Sequence, residues 1–391
     1  MQTQKLYDTD SYLRDFTAKV LSCTPLPDAD NRRDGAKFSV ILNETAFFPE
    51  GGGQTADTGN LGSAVVIDVQ EKDGEIVHLV DTELEVGSLV RGVLNWQERF
   101  RKMQNHTGEH LVSGIVHTQF GYDNVGFHLG TDGVTVDFSG VLNEAELRFV
   151  EYIANRVVGL NVPVTVSYPT PEECEKLDYR SKLDLTEGVR IVTIEGWDCC
   201  ACCAPHVSRT GAVGGVKLLS CESWKGGVRV HMLCGLDAFD DYRKRTEQTR
   251  RISNLLSVPQ LETADAVEHL LKSLSDEKEE SAKLRRTLLE LKISALKQTD
   301  GDLVIFDNDL DANALRSLAN AGVKRCSGVC AVFSGCDGEG YRYIIGSEST
   351  PMRGWGKAFN AELNGKGGGS DAMIQGTVQA AEKDIRAFFA R

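Results

Sequence analysis

The sequence lacks the features of membrane and secreted proteins. No stretch approaches the ~20 consecutive apolar residues that a membrane-spanning helix needs. The first residues, MQTQKLYDTDSYLRDF, contain no basic segment followed by an apolar run. We therefore expect a cytoplasmic protein.

Positive charge is also scarce. The chain has 43 Lys and Arg residues against 57 Asp and Glu residues, which gives a formal net charge of −14. Such a surface repels phosphates over most of its area, which argues against a protein that coats nucleic acid non-specifically. Any contact with nucleic acid must therefore be local.

A disulfide framework is not indicated either. The 11 cysteines are an odd number, and four of them fall within residues 199–203. Nothing marks the chain as secreted, so reduced thiols, some of them metal ligands, fit the pattern better than disulfides.

The 391 residues, 41% hydrophobic and 26% charged, suffice for two or three domains. The patterns predict an α+β protein in four parts. In residues 1–90, short segments that alternate apolar and polar residues predict the strands of a β-barrel or open sheet. Residues 91–236 predict an α+β domain that contains the candidate metal ligands. Residues 237–300 are charged and helical with heptad-spaced leucines, which predicts a linker that forms either a helical hairpin or an intermolecular coiled coil. Residues 301–391 predict a compact α/β domain with a second Gly-rich loop.

Two pairs of possible metal ligands are spaced four residues apart. The segment NHTGEHL contains His106 and His110, and the helical periodicity around it places both imidazoles on one helix face. The segment CCAPH contains Cys202 and His206. Together these N and S donors predict one tetrahedral Zn²⁺ site per chain. A structural zinc site is the alternative, and Cys199 with Cys202 also forms a C-x-x-C.

The first pair is also compatible with a different enzyme. H-x-x-E-H is the inverzincin signature, in which the two histidines bind zinc and the glutamate, here Glu109, acts as general base. The third ligand of that class is normally a downstream glutamate, which a Cys and His pair does not suit. A metallopeptidase stays as an alternative function.

A glycine-rich segment, FFPEGGGQTADTG, lies at residues 47–59. Its Gly51, Gly52 and Gly53 allow the backbone to approach a ligand closely, and Gln54 offers both a donor and an acceptor. The spacing matches neither a Walker loop nor the dinucleotide fingerprint. We interpret the segment as a substrate-binding loop, with an ordinary hairpin turn as the alternative.

FFPEGGGQTADTG, HTGEHL and CCAPHVSRTGAVGGVKLL, in this order, resemble the editing half of alanyl-tRNA synthetase and the free-standing AlaX editing proteins. The match covers residues 1 to about 235. The tail GKGGGSDAMIQG is similar to the Gly-rich loop of that synthetase's C-terminal domain, so the whole chain resembles the long AlaX form. The family's C-G-G-T-H and H-T-A-T-H appear here as CCAPH and HTGEH, which keeps the ligand positions but changes the residues between them.

The resemblance implies hydrolysis of Ser-tRNA(Ala), and of Gly-tRNA(Ala), in trans at the zinc site. Such an enzyme is needed because a pocket that accepts alanine discriminates against serine and glycine by a factor of only ~10², whereas accurate translation requires a factor of ~10⁴. The editing pocket must hydrogen-bond the serine hydroxyl, and Thr45 is our candidate. Gln54 and Glu109 are the candidate catalytic residues. The sequence does not decide whether zinc activates water or positions the substrate.

Basic residues before the helical histidine pair and in the tail are candidates for contact with tRNA(Ala): Arg99, Arg101, Lys102, Arg353 and Lys366. A solvated helix face explains the first three equally well. The helical linker and the C-terminal domain are the candidate surfaces for a homodimer. A non-catalytic tRNA-binding protein with structural zinc is the remaining alternative.

Overall fold

Helices and strands alternate along the computed structural model of the chain, which describes residues 2–27, 35–130, 133–181 and 188–391. They group into two units, Met1–Arg251 and Ile252–Arg391, and each unit has buried apolar cores of its own. The predicted α+β class is confirmed. Within the described ranges, no helix has both the length and the apolar character needed to cross a membrane.

The first strands owe their form to alternating apolar residues, which point inward at every second position of the chain. Strands β2, β3, β7, β6, β5 and β8 close in that order into an antiparallel barrel around buried residues such as Val20, Val40 and Val80. Strand β1 pairs with β4 in parallel. The bounds of this part are β1 (Gln4–Lys5), α1 (Leu6–Thr9), β2 (Asp15–Pro25), β3 (Phe38–Leu42), β4 (Glu44–Thr45), β5 (Gly59–Leu61), β6 (Ala64–Lys72), β7 (Glu75–Val80) and β8 (Leu89–Leu94).

A long buried helix follows the barrel and organises the rest of the first unit. This helix, α2, is capped at its start by the Asn95 side chain and ends at Gly121 in the left-handed conformation. Two antiparallel sheets accompany it, one in the order β14-β15-β10-β9 and one in the order β11-β12-β13. The bounds are α2 (Trp96–Phe120), β9 (Asn124–Gly130), β10 (Gly133–Phe138), α3 (Glu144–Leu160), β11 (Val164–Ser167), α4 (Pro171–Cys174), β12 (Ile191–Ile194), β13 (Asp198–Ala201), β14 (Val216–Trp224), β15 (Gly227–Cys234) and α5 (Gly235–Leu256).

Gly114 allows α2 and the β12–β13 hairpin to approach each other closely. A Cβ at this position would lie 2.3 Å from the carbonyl oxygen of Trp197 and 2.8 Å from Cβ of Asp198, so only glycine fits. The approach brings the start of β13 beside the middle of α2, where the first histidine pair lies.

The second unit is built on a five-stranded sheet in the order β16-β17-β18-β20-β19, with β16 and β17 parallel and the other pairs antiparallel. The last turns of α6 pack on this unit through Leu289 and Ile293, whereas heptad positions such as Leu270 and Leu284 are exposed. The coiled-coil and hairpin interpretations therefore both stay open. The bounds are α6 (Thr263–Ser294), β16 (Leu303–Phe306), α7 (Ala312–Val323), β17 (Cys330–Cys336), β18 (Gly340–Gly346), α8 (Met352–Glu362), β19 (Gly365–Gly369), β20 (Met373–Val378) and α9 (Glu382–Phe389).

Candidate metal centre

Four side chains from two distant segments converge in the first unit. One ligand atom of each lies within 4.8 Å of those of the others: His106 and His110 on α2, Cys202 directly after β13, and His206 in the following loop. Sγ of Cys202 is 3.6 Å from Nε2 of His106 and 3.3 Å from Nε2 of His206. The rings of His110 and His206 are 4.6 Å apart between centroids. The structure thus brings the four predicted ligands together, and we refer to them below as the four candidate ligands.

Hydrogen bonds at Nδ1 fix the orientation of each imidazole. The partners are Oε1 of Gln54 at 2.9 Å from His106, Oδ2 of Asp198 at 2.9 Å from His110, and Oγ1 of Thr107 at 3.0 Å from His206. A carboxylate and an amide oxygen only accept, so Nδ1 carries the proton in His106 and His110. Nε2 of both is then the nitrogen left for a metal ion, as in metal-bound histidines.

Burial and neighbouring charges shift the pKa values of three of these ligands in different directions. Burial by itself raises the pKa of the Cys202 thiol, but the charge and the hydrogen bond of the neighbouring His106 outweigh it and hold that pKa well below its ordinary value. Burial lowers the pKa of His206 to about 3, so this imidazole is neutral. Burial also opposes protonation of His110, but the hydrogen bond to the Asp198 carboxylate prevails and raises its pKa. Zinc binds a thiolate and neutral imidazoles, so the proton that this raised pKa keeps on His110 must leave when a metal ion binds.

The glycine-rich segment forms a tight turn that places Gln54. Gly51 and Gln54 exchange two backbone hydrogen bonds of 3.0 Å, and Gly52 and Gly53 between them have φ of +58° and +82°. A Cβ on Gly53 would lie 2.5 Å from the carbonyl oxygen of Phe127 on β9. The turn therefore docks tightly on the strand whose Phe127 ring packs against His106. The amide Nε2 of Gln54 is buried and has no hydrogen-bond partner among the described residues.

Hydrogen bonds from Arg190 and Ser11 fix the backbone of the loop from Cys202 to His206. Nη1 of Arg190 donates to the carbonyl oxygens of Cys202 and Ala204 at 2.7 and 2.9 Å, and the Ser11 hydroxyl donates to that of His206 at 2.9 Å. Sequence reasoning missed these supports, and it also missed Thr107 and Asp198. Thr107 is adjacent to a candidate ligand in the chain, which is a signal that could have identified it.

The other predicted site residues have structural partners. The hydroxyl of Thr45 lies 2.8 Å from Nε2 of His78 inside the barrel and accepts from the Phe47 N–H. The Glu109 carboxylate accepts from the side chains of Ser113 and Asn124. Neither role predicted for Thr45 and Glu109 is tested by these contacts, and both stay predictions.

Two of the predicted phosphate contacts lie in the interior. Arg99 is 0% exposed, forms a buried ion pair with Asp57 and donates to the Ala46 carbonyl, and Lys102 is 1% exposed and donates to the carbonyl oxygen of Ala56. Their side chains are therefore not accessible to a phosphate in this structure. Arg101 is part-buried and paired with Asp237. In the second unit, Arg353 on α8 and Lys366 on the edge strand β19 are exposed.

Two family profiles match parts of the first unit. The family described as "Threonyl and Alanyl tRNA synthetase second additional domain" matches residues 189–231, which include Cys202 and His206. The family described as "tRNA synthetases class II (A)" matches residues 3–98, which include the glycine-rich turn. One profile thus covers the segment that contains Cys202 and His206, and the other covers the turn whose Gln54 hydrogen-bonds to His106.

Individual proteins match over much more of the chain. The alanyl-tRNA editing protein AlaX-L of Pyrococcus horikoshii is 29% identical over 98% of this chain and 96% of its own length. The alanyl-tRNA editing protein Aarsd1 of Danio rerio is 28% identical over 96% of this chain and 93% of its own length. The alanine–tRNA ligase of Ignicoccus hospitalis is 32% identical over 81% of this chain, which spans only 36% of the ligase. The solved C-Ala domain of Aquifex aeolicus alanyl-tRNA synthetase matches 23% of this chain at 22% identity with a TM-score of 0.20, too low to argue a shared fold.

Proposed function

We propose that this chain, which is similar to two alanyl-tRNA editing proteins over nearly its whole length, deacylates tRNA(Ala) mischarged with serine, and also with glycine, in trans. The observation that supports this proposal most strongly is the convergence of the four candidate ligands beside the glycine-rich turn. The chemistry required is hydrolysis of the ester between the amino acid and the tRNA 3′ end, in the cytoplasm where tRNA is charged.

Zinc fits the residues that are present. Three imidazoles whose Nδ1 atoms are already hydrogen-bonded, together with one thiol of lowered pKa, form an N and S donor set that suits tetrahedral Zn²⁺. When bound there, zinc supplies Lewis acidity toward an ester carbonyl or lowers the pKa of a water molecule. The four candidate ligands together would fill a tetrahedral shell, so either chemistry would require a fifth position on the ion or the release of one ligand. Other groups of this chain must then orient the ester.

Gln54 is the side chain best placed to orient it. Its Oε1 is committed to His106, while its buried Nε2 has no acceptor among the described residues. A buried donor without a partner costs about 1–3 kcal/mol, and a carbonyl oxygen of the substrate would remove that cost. We assign to this N–H the ester carbonyl, where negative charge develops during hydrolysis.

Thr45 and Glu109 enter this proposal with less support from their contacts. Nδ1 of His78 lies 3.2 Å from the Val40 carbonyl, so Nε2 of His78 accepts from Thr45, but Thr45 is 0% exposed, and these contacts favour a structural role inside the barrel over contact with a serine hydroxyl. For Glu109, the contacts with Ser113 and Asn124 favour holding α2 to β9 over acting as a general base. The metallopeptidase alternative also requires Glu109 as general base, so these contacts do not favour that alternative either.

We place the tRNA body on the exposed Arg353 and Lys366 of the second unit, and the acceptor end on the first unit near Gly51, Gly52 and Gly53. The four-part division of the chain and a homodimer through the helical linker or the C-terminal domain belong to the same proposal. Sedimentation of the purified protein decides the oligomeric state.

The test uses the purified chain with Ser-tRNA(Ala), Gly-tRNA(Ala), Ala-tRNA(Ala) and a peptide mixture, with and without a chelator. We expect chelator-sensitive release of serine and glycine and little release of alanine. His110→Ala and Cys202→Ala should lose zinc and deacylation together, whereas Cys221→Ala, a thiol on β14, should keep both. Peptide cleavage would favour the peptidase, and tRNA binding without deacylation would favour the non-catalytic alternative.

A further inference from the structure

We propose that Arg180 is a positioning residue for the metal centre, and that it acts through Asp198 on the orientation and tautomer of His110. The inference deepens the proposed function and rests on it, because zinc is the ion that the four candidate ligands would hold. Neither Arg180 nor Asp198 belongs to the predicted site.

An unbroken chain of hydrogen bonds joins the guanidinium to the imidazole. Nε of Arg180 donates to Oδ1 of Asp198 at 2.7 Å, and Nη2 donates to Oδ2 at 3.0 Å. Oδ2 also accepts from Nδ1 of His110 at 2.9 Å. The three side chains are only 14%, 1% and 3% exposed, so water does not compete with these contacts.

The two parallel hydrogen bonds from the Arg180 guanidinium to Asp198, called its fork below, determine how the carboxylate faces the histidine. A carboxylate with a single partner can rotate about its Cβ–Cγ bond, whereas two parallel N–H bonds from a planar guanidinium fix the plane of the group. With the plane fixed, a lone pair of Oδ2 stays directed at His110. The guanidinium also compensates a negative charge that would be costly to bury alone.

The backbone holds both partners of the fork in register. The N–H of Arg180 donates to the carbonyl oxygen of Cys199 at 2.8 Å, and the carbonyl oxygen of Arg180 accepts from the Ala201 N–H at 2.9 Å. Arg180 therefore forms an isolated β-bridge with Cys200 on β13, the strand that begins at Asp198. The fork thus forms without rearrangement of a mobile surface side chain.

Arg180 also affects where a metal ion binds. His110, Asp198 and Cys200 form a second group whose donor atoms lie within 4.8 Å of one another. Because the guanidinium occupies both carboxylate oxygens of Asp198, positive charge is already present on the Nδ1 side of His110. Asp198 then serves as a hydrogen-bond acceptor, and the ion is left to the Nε2 side with the four candidate ligands.

The experiment measures zinc affinity by competition with a chromophoric chelator, and records the thiolate–cobalt absorption of the Co²⁺-loaded chain. The variants are Arg180→Met, Arg180→Lys, Asp198→Asn and the double variant Arg180→Met with Asp198→Asn. Arg229→Met is the matched control, because Arg229 makes the same fork with Asp137, at 2.7 and 2.8 Å, on strands β15 and β10, which contain none of the four candidate ligands.

We expect Arg180→Met to weaken zinc binding about 10- to 100-fold, the usual effect of losing a group that orients a metal-bound histidine. Arg180→Lys, which keeps the charge but not the fork, should fall between Met and wild type, and Arg229→Met should bind zinc like wild type. If Arg180 acts through Asp198, the double variant binds zinc no more weakly than Asp198→Asn alone.

Three results would overturn the inference: wild-type zinc affinity in Arg180→Met, equal losses in Arg229→Met, or losses that add in the double variant. If Arg180→Met does not fold, Arg180→Lys decides, and unchanged affinity in that variant rejects the role. A wild-type chain that binds neither zinc nor Co²⁺ rejects the metal centre of the proposed function, whereas equal zinc binding by wild type and Arg180→Met rejects this inference alone.

Discussion

Gly53→Ala tests whether the glycine-rich turn is held by its close approach to β9. Gly53 has φ of +82°, which an L side chain rarely adopts. A Cβ there would lie 2.5 Å from the carbonyl oxygen and 2.8 Å from Cδ1 of Phe127. The closest of these atoms is backbone in a paired strand and cannot move aside cheaply, so the turn itself must shift.

The expected cost has two parts. An alanine in the left-handed region costs about 1–2 kcal/mol, and forcing extra volume into a packed contact costs about 1–3 kcal/mol. We therefore expect Gly53→Ala to lower the free energy of unfolding by about 2–5 kcal/mol, a large share of the ~5–15 kcal/mol of a typical domain. A shifted turn also displaces Gln54 from His106, so zinc affinity should fall with stability.

Gly62→Ala is the matched control. Gly62 also has a positive φ, +56°, but the nearest atom to its added Cβ is Cγ1 of Val90 at 3.9 Å, an ordinary contact. This variant should lose only the backbone cost of about 1–2 kcal/mol. The difference between the two variants isolates the clash with Phe127.

Urea unfolding followed by tryptophan fluorescence is the assay. Three of the four tryptophans lie in the first unit and Trp355 lies in the second, so a Trp355→Phe background reports the first unit alone. Equal losses of stability in Gly53→Ala and Gly62→Ala, or wild-type stability and zinc affinity in Gly53→Ala, would refute the close contact between the turn and Phe127.

Three further predictions concern other residues of the chain. Gln54→Glu keeps an oxygen for its histidine but removes the buried N–H, and kcat on Ser-tRNA(Ala) should fall about 10²- to 10³-fold with zinc retained; unchanged kcat would contradict the assignment. Burial lowers the pKa of His78 to about 4, so its neutral form stabilises the fold above pH 6.5, and on the order of 3 kcal/mol should be lost between pH 6.5 and 4. Because the buried His206 also loses stability over this range, urea titrations should show a loss smaller by on the order of 3 kcal/mol in His78→Gln than in wild type. Arg99→Met should lower the free energy of unfolding by about 3–5 kcal/mol without changing the salt dependence of tRNA binding. Lys366→Gln should leave stability unchanged and reduce the slope of log affinity against log salt concentration by about 1. The opposite pattern would show that Arg99 contacts tRNA.

The convergence of the four candidate ligands was predictable because the signal is local. A spacing of four places two side chains on one helix face, and a second pair of compatible donors limits what the first can bind. The α+β class was predictable for the same reason, since periods of two and of 3.6 residues are visible in short windows.

The burial of Arg99 and Lys102 was not predictable from such windows. Basic residues on a helix ordinarily face solvent, and nothing near them in the chain shows that α2 passes through the interior. Their partners come from remote segments: Asp57 is 42 positions from Arg99, and the carbonyl group of Ala56 is 46 from Lys102. A buried charge is tolerated only because such partners satisfy it, and these partners are a property of the fold.

The orientation of the candidate ligands depends on the fold in the same way. Each histidine takes its Nδ1 partner from a different element: the glycine-rich turn, α2 itself and the start of β13. Unfolded ligand pairs would meet a zinc ion with free rotation about their side-chain bonds and either tautomer available. Folding removes both freedoms, so at the proposed centre a zinc ion would bind the folded first unit far better than the unfolded chain and would stabilise the folded state. For the same reason, a substitution that removes an Nδ1 partner without replacing a ligand, such as Gln54→Ala, Thr107→Val or Asp198→Ala, is expected to weaken zinc binding.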